Sequence, residues 1–401
     1  MKKHDYFKKY LEFVRKHNLY PPFYKVDGAS SSSEIVVDGK KFLTFSSNNY
    51  LGIAGDKEII RATVEGIEKY GVGSGSTRVL LGSLDVQDEF EKELAEFLRQ
   101  EDSITFSSGF LANVGVIRNL VDPFPYFQLF KEGEGAIVSD ELNHASIIDG
   151  IRLSKATRQI FRHKDVNHLE EILKQNKGKR ILIITDAIFS MDGDIAPLKE
   201  IADLSKKYEA ITMIDDAHGV GVLGSGGRGT AEHLGVAKDI DVVMGSFTKA
   251  FGSIGGYIAC NKVIGDYMRI TARSYLFSDP IIPGVVAGLR KALEILKNSD
   301  ERRKIIFENV THLKSNLDKM GFSTLGGETS IVPLLVSSEE KAIKFSSMLY
   351  EAGVIALCIR RPAVPEGRER IRFSIMATHA KKDINKLLEV CEKVGKSLKM
   401  I

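Results

Sequence analysis

Cysteine, polybasic runs and long apolar stretches are all scarce in this chain of 401 residues, and each scarcity removes a class of protein. The three cysteines, Cys260, Cys358 and Cys391, lie far apart with no CxxC pair. That excludes a thiol-based zinc site and a disulfide framework, and predicts buried thiols in a reducing compartment. No apolar run reaches the roughly 18 residues a membrane span needs, and the N-terminus lacks the apolar core of a secretory leader. The expected location is therefore cytoplasmic, with no integral membrane association. Lys plus Arg number 56 against 53 Asp plus Glu, so nucleic acid is not an expected partner. There is no internal repeat, no GxxxxGK[ST] and no HExxH. Gly219 to Gly224 fits GxGxxG but does not open a helix directly after a strand, as a dinucleotide site requires. His163 and His168, in a polar stretch, read as surface groups, and no metal is expected.

What remains is ordinary globular material, 43% hydrophobic and 27% charged, long enough for one large domain and a smaller one. The opening segment from Lys2 to Tyr20 sets Phe7, Leu11 and Val14 on one helical face, to pack on its own chain or a partner copy. A hairpin follows, Ile35 to Val37 and Phe42 to Phe45 around Asp38-Gly39. From about residue 100 to 260, seven short apolar runs alternate with helical patterns: Ile104–Phe106, Ala136–Val138, Gln159–Phe161, Ile181–Thr185, Ile211–Ile214, Val242–Gly245 and Gly256–Ala259. The alternation predicts an α/β fold, a mostly parallel, doubly wound sheet of seven strands. Beyond about residue 290, long helices and strands at Ile331–Val336, Val354–Cys358 and Arg370–Ile375 predict a smaller α+β domain. The expected divisions are 1–55, an arm packing with the small domain, then 56–290 and 291–401.

In such sheets ligands lie at the carboxyl ends of the strands. One strand ends in Asp215-Asp216-Ala217-His218-Gly219. A carboxylate there holds a ring nitrogen protonated, because a negative neighbour favours the cation; standing alone, the segment reads equally well as a helix-capping Asp and a solvated His. The next strand runs into Ser246-Phe247-Thr248-Lys249-Ala250. A lysine beside small residues at a strand end is partly desolvated, which suits imine formation, while Ser246 and Thr248 suit a phosphate. His144, in Asn143 to Ser146, is placed to lie on a planar cofactor, and Ser190 to donate to a ring oxygen. Phe106 to Asn113 is a strand, a small-residue turn and a helix start, an anion site at Gly109 and Phe110.

These segments, with Ser47 to Gly52, Gly73 to Arg78, Asn143 to Gly150, Phe189 to Asp194 and Arg370 to Arg372, resemble in order the α-oxoamine synthase family of fold type I pyridoxal-phosphate enzymes. The resemblance spans residues 46 to 380. It implies pyridoxal 5′-phosphate held covalently by Lys249, with Asp215 on the ring nitrogen, His218 and Ser190 on the ring oxygen and His144 against the ring. Gly109, Phe110, Ser246 and Thr248 would take the phosphate, joined by Ser278 from a neighbouring subunit. Arg372, with Arg370 as the alternative, would clamp the substrate carboxylate, and Asn49 would reach substrate across a dimer interface. The implied catalytic residues are Lys249, His144 and Asp215.

The implied reaction joins a small amino acid, glycine first and then alanine or serine, to an acyl-CoA thioester, with loss of carbon dioxide, in a homodimer. A fold type I aminotransferase or a long-chain acyl enzyme is the alternative. The chain departs from the family pattern at Gln87, at Asp279-Pro280 after Ser278, and in an aromatic insertion from Asp122 to Phe130, read as a pocket wall, a partner surface or a packed loop.

Overall fold

A computed structural model of the chain describes residues 3–17, 19–122, 135–336, 338–361 and 363–401. Beyond Asp122, the aromatic insertion lies outside the described residues. An N-terminal hairpin, β1 (Glu34–Val37) and β2 (Lys40–Thr44), is closed by Asp38 and Gly39, both at positive φ, the tight turn that matches strand twist. The large sheet follows: β3 (Asp102–Phe106), β4 (Gly135–Asp140), β5 (Thr157–Phe161), β6 (Arg180–Asp186), β7 (Ile211–Asp215), β8 (Val242–Ser246) and β9 (Gly256–Cys260).

Its order is β3-β9-β8-β7-β6-β4-β5. β9 runs antiparallel to β3 and β8, and the other pairs are parallel. Alternate side chains enter two cores. Ile137, Leu182, Ile184 and Met213 pack on one face, and Val138, Ile183 and Ile214 on the other. Helices cover both faces, so the central strands are largely apolar up to their polar carboxyl ends, with all six residues of β4 buried.

The smaller lobe contains β10 (Ile331–Leu335), β11 (Val354–Ile355), β12 (Leu357–Ile359) and β13 (Arg370–Ser374). The run Val354 to Cys358, expected as one strand, divides at Ala356. Val354 and Ile355 pair with β2, whereas Leu357 to Ile359 pair with β13. A continuous apolar run does not record a change of partner, so this break has no signature in the sequence. The N-terminal hairpin thereby joins the smaller lobe, and Thr44 O bonds the ring of His379 at 2.9 Å.

The first helix, Asp5–Lys16, buries only Val14 of its predicted face. Phe7 and Leu11 remain exposed with Tyr6, Tyr10 and Phe13, so packing on its own chain is confined to Val14. Cys260 and Cys391 are buried, whereas Cys358 is only partly so.

Candidate active site

Adjacent strands β6 and β7 end with Asp186 and Asp215 directly in register. Both carboxyls are buried. Burial raises the pKa of each, and the neighbouring Asp215 pushes Asp186 well above the usual carboxylate range. The donors decide which of the two keeps its charge. Asp215 accepts from Asn113 Nδ2 at 2.8 Å and from the Ala217 amide at 3.1 Å, whereas Asp186 accepts from the His144 amide at 3.1 Å. Asp215 is therefore the better-held anion.

The second Asn113 N–H goes to Ser146 Oγ at 2.9 Å, and that hydroxyl lies 2.7 Å from His144 Nδ1. The Ser146 amide also donates to Nδ1, at 3.2 Å. Nδ1 is thus an acceptor, which leaves the proton on Nε2 of the exposed His144 ring. One hydrogen-bonded chain so ties the acid at the end of β7 to the imidazole. Asn113, Ser146 and Asp186 were not singled out from sequence as site residues; the strand-end rule that marked Asp215 applies equally to Asp186.

Beyond β3, helix Gly109–Val121 starts with Ser108 as its cap, Oγ accepting from the Leu111 amide at 3.1 Å. Its free amides face the cavity, an anion cradle. The helix end sits close because two glycines meet: a Cβ on Gly256 would lie 2.4 Å from Gly109 Cα. Opposite it, Ser246 Oγ and Thr248 Oγ1 lie 2.8 Å apart. Lys249 follows, its amine pKa lowered by burial and then by the charge of Arg372.

Arg372 is buried, and every acceptor it finds is neutral. Nε donates to Ser190 O at 2.5 Å, Nη1 to Ser374 Oγ at 2.9 Å, and both Nη groups lie 3.3 Å from Asn48 Oδ1. A desolvated guanidinium of this kind is suited to a carboxylate supplied from outside. Arg370 is not free for that task, since its guanidinium is bonded to Asp192 at 2.6 Å and to Met191 O at 2.9 Å. Tyr50 Oη accepts from Arg372 at 3.5 Å and lies 2.6 Å from His218 Nδ1. With the hydroxyl donating there, His218 keeps its proton on Nε2. Burial, with the charges of Lys249 and Arg372, holds His218 well below the usual imidazole range and hence neutral.

Two expectations are corrected. Asn49 does not face substrate: its Nδ2 donates to Ser31 O at 2.9 Å, and its Oδ1 accepts from the Ile53 and Ala54 amides. Asn48, one residue earlier, is the one against Arg372 of the same chain. Ser278 lies 3.4 Å from Ser107 Oγ, just beyond β3. Gln87 is structural: it caps the Leu84 amide at 3.0 Å and donates to Ile281 O at 3.3 Å. His163, expected at the surface, is half-buried between Asp140 and Asp194.

A cavity of about 220 Å³ gathers Gly109, Phe110, His144, Ser190, Asp215, His218, Ser246, Thr248 and Lys249 in its wall. Among the described residues no cluster of His, Cys, Asp or Glu is placed to hold a metal ion, and no helix is long and apolar enough to cross a membrane.

Residues 40–390 match the family "Aminotransferase class I and II". The 8-amino-7-oxononanoate synthase of Thermosipho melanesiensis is 44% identical over 396 residues, 98% of each chain. The chain belongs to the α-oxoamine synthases within that family. A serine palmitoyltransferase solved with pyridoxal phosphate superposes with a TM-score of 0.92 at 30% identity, over 100% of this chain and 99% of that one. The 8-amino-7-oxononanoate synthase of Francisella tularensis gives 0.77 at 27%, over 90% and 99%.

As an α-oxoamine synthase, the enzyme uses pyridoxal 5′-phosphate to condense an amino acid with an acyl thioester. The cavity fits that cofactor by its own chemistry. Its wall offers the amides of a helix start, two hydroxyls, a buried carboxylate and a desolvated lysine, with His144 and Ala217 among the lining residues.

Proposed function

We propose that this enzyme joins alanine to a seven-carbon dicarboxylic acyl thioester, releasing the thiol and carbon dioxide and forming 8-amino-7-oxononanoate. The observation that carries this reading is the 44% identity, over nearly the whole chain, to an enzyme named for that product. The product's structure identifies the reactants. Carbons 8 and 9 with the amine are alanine less its carboxyl group, and carbons 1 to 7 are the diacid. Alanine thus moves ahead of glycine and serine among the small amino acids. The serine palmitoyltransferase likeness, at 30% identity, supports the shared backbone more than the substrate, because pocket side chains select among substrates on a common fold.

When bound, pyridoxal phosphate supplies an electron sink for bonds broken at the amino acid's Cα. Lys249 would hold it covalently, and Asp215 would keep its ring nitrogen protonated. His218 and Ser190 would bond the ring oxygen; Gly109, Phe110, Ser246 and Thr248 would take the phosphate. Arg372, squared up by Asn48, orients the substrate carboxylate through its two-pronged donor geometry. The depressed pKa of Lys249 increases its neutral fraction, so the amine, freed once substrate is bound, is a base for the Cα proton. His144, with its proton on Nε2, donates toward the oxygen that gains charge as the thioester is attacked.

The working unit is a homodimer. Val79, Leu80 and Leu81 are exposed, as are Phe277 and Ile282. Their segments are pinned together by Arg78, ion-paired with Glu91 at 3.0 Å and lying 5.6 Å over the Tyr275 ring. Exposed apolar side chains on segments tied together in this way favour a second copy. Ser278 directly follows Phe277, where it can serve the partner's phosphate. The three free cysteines fit a reducing compartment, and we place the enzyme in the cytoplasm.

The test is to supply alanine, glycine or serine with pimeloyl-CoA, and with a long-chain acyl-CoA, and to measure free thiol and product mass. Alanine with the seven-carbon thioester should give the nine-carbon aminoketone. Transfer of the amine to an oxo acid without thiol release, or reaction with the long chain alone, would reject the reading.

A further inference from the structure

The loop Phe189–Asp194 carries both Ser190, which faces the cavity, and the carbonyl oxygens that receive the two arginines of β13. Ser190 O takes Arg372 Nε at 2.5 Å, Met191 O takes Arg370 at 2.9 Å, and Asp192 pairs with Arg370 at 2.6 Å. The loop closes on itself through the Phe189 amide to Asp194 O at 3.1 Å and the Gly193 amide to Phe189 O at 2.8 Å. Gly193 has φ +66°, and a Cβ there would lie 2.6 Å from Ile331 O. The small lobe therefore presses directly on this loop. What it is pressed against is His163.

His163 Nδ1 lies 3.1 Å from Asp140 Oδ1, at the end of β4, and Nε2 lies 3.1 Å from Asp194 Oδ2. Its ring meets Phe189 edge-on at 4.4 Å. We propose that His163 is a positioning residue for amino-acid binding: by bridging Asp140 and Asp194 it fixes the Phe189–Asp194 loop to the large sheet, and so sets Ser190 and the Arg372 guanidinium.

The bridge requires the imidazolium, because a neutral ring has one N–H and two carboxylates face it. Burial disfavours the cation, but the hydrogen bonds to Asp140 and Asp194 outweigh it and lift the pKa to about 9. Two further charged side chains face the ring's surroundings. Lys164 donates from its amide to Asp140 and from Nζ to Asp194, both at 3.0 Å, and Glu141 accepts from the His163 amide at 2.7 Å. Below about pH 9 both bonds are made. Above it one is lost, and Asp140 and Asp194 face an uncharged ring.

The inference rests on the reading of Arg372 as the carboxylate clamp, and not on the identity of the acyl chain. Its test titrates the holoenzyme with alanine, glycine or serine without thioester, following the cofactor's visible absorbance to obtain a dissociation constant free of turnover. His163→Leu should raise that constant about tenfold with unchanged cofactor content. His163→Arg, a permanent planar cation with two adjacent donors, should bind like the parent. The parent's constant should rise above about pH 9 by more than that of His163→Arg. Unchanged binding by His163→Leu, or identical alkaline profiles for parent and His163→Arg, overturns the inference; the second comparison decides even if His163→Leu does not fold. A parent holoenzyme that responds to none of the three amino acids would instead reject the proposed function.

Discussion

Asn48 and Asn49 show how much one position in an irregular turn decides. Both are short amides in the same segment, yet Asn48 points at Arg372 while Asn49 turns inward to hold the Ile53 and Ala54 amides. Their variants should separate accordingly. Asn48→Asp places a carboxylate on Arg372, in competition with substrate, and should raise KM for the amino acid at least about tenfold. Asn49→Ala orphans two backbone donors and should lower stability by about 1–3 kcal/mol with little change in KM. Steady-state kinetics and thermal melts on the two proteins check both outcomes, and a selective KM effect at Asn49 would return the substrate role to it. Asp186 and Asp215 teach a related lesson. Chemically alike and in register, they are distinguished by the donors around them, which the sequence does not list in space.

The proposed phosphate cradle is built by elements rather than by any single side chain. The N-terminus of helix Gly109–Val121 approaches β9 as closely as it does because Gly256 carries no Cβ, and a Cβ on Gly109 would already crowd Met244 Cε of β8 at 3.2 Å. Gly256→Ala should push the helix end away from Ser246 and weaken cofactor binding about tenfold or more. Equilibrium dialysis against pyridoxal phosphate reads the effect, and retention at the parent's affinity would mean that the hydroxyls of Ser246 and Thr248 suffice. The same dependence on packing explains β11 and β12. Their break at Ala356 arises because β2 and β13 compete for neighbouring stretches of one apolar run.

For the molecule as a whole, the proposed homodimer would bury the exposed side chains of Val79 to Leu81 and Phe277. Leu81 and Phe277 are 84% and 76% exposed, more than an isolated chain of this size readily tolerates. Leu81→Glu with Phe277→Glu should convert the dimer to a monomer by light scattering, with the fold kept by circular dichroism. Activity should fall with mass if the partner's Ser278 completes the site. A dimer of unchanged mass would relocate the interface, with the exposed face of helix Asp5–Lys16 as the next candidate.

The seven strands, the hairpin and the residues at the strand ends were legible in the chain because period, turn chemistry and strand-end polarity are local properties. Lys249, Asp215, His218, His144 and Ser190 were named from their segments and Arg372 from the family resemblance, and the structure brings the first five into one cavity wall, with Arg372 bonded to Ser190 O. The rest depended on contacts between distant segments. His163 is an ordinary polar histidine until β4 and the Phe189–Asp194 loop close on it from two sides. Asn113 becomes a partner of Asp215 across 102 positions of sequence, and Arg370 is withdrawn from the site by Asp192. Burial and partner geometry set charge, tautomer and donor direction, and both exist only once the lobes have packed.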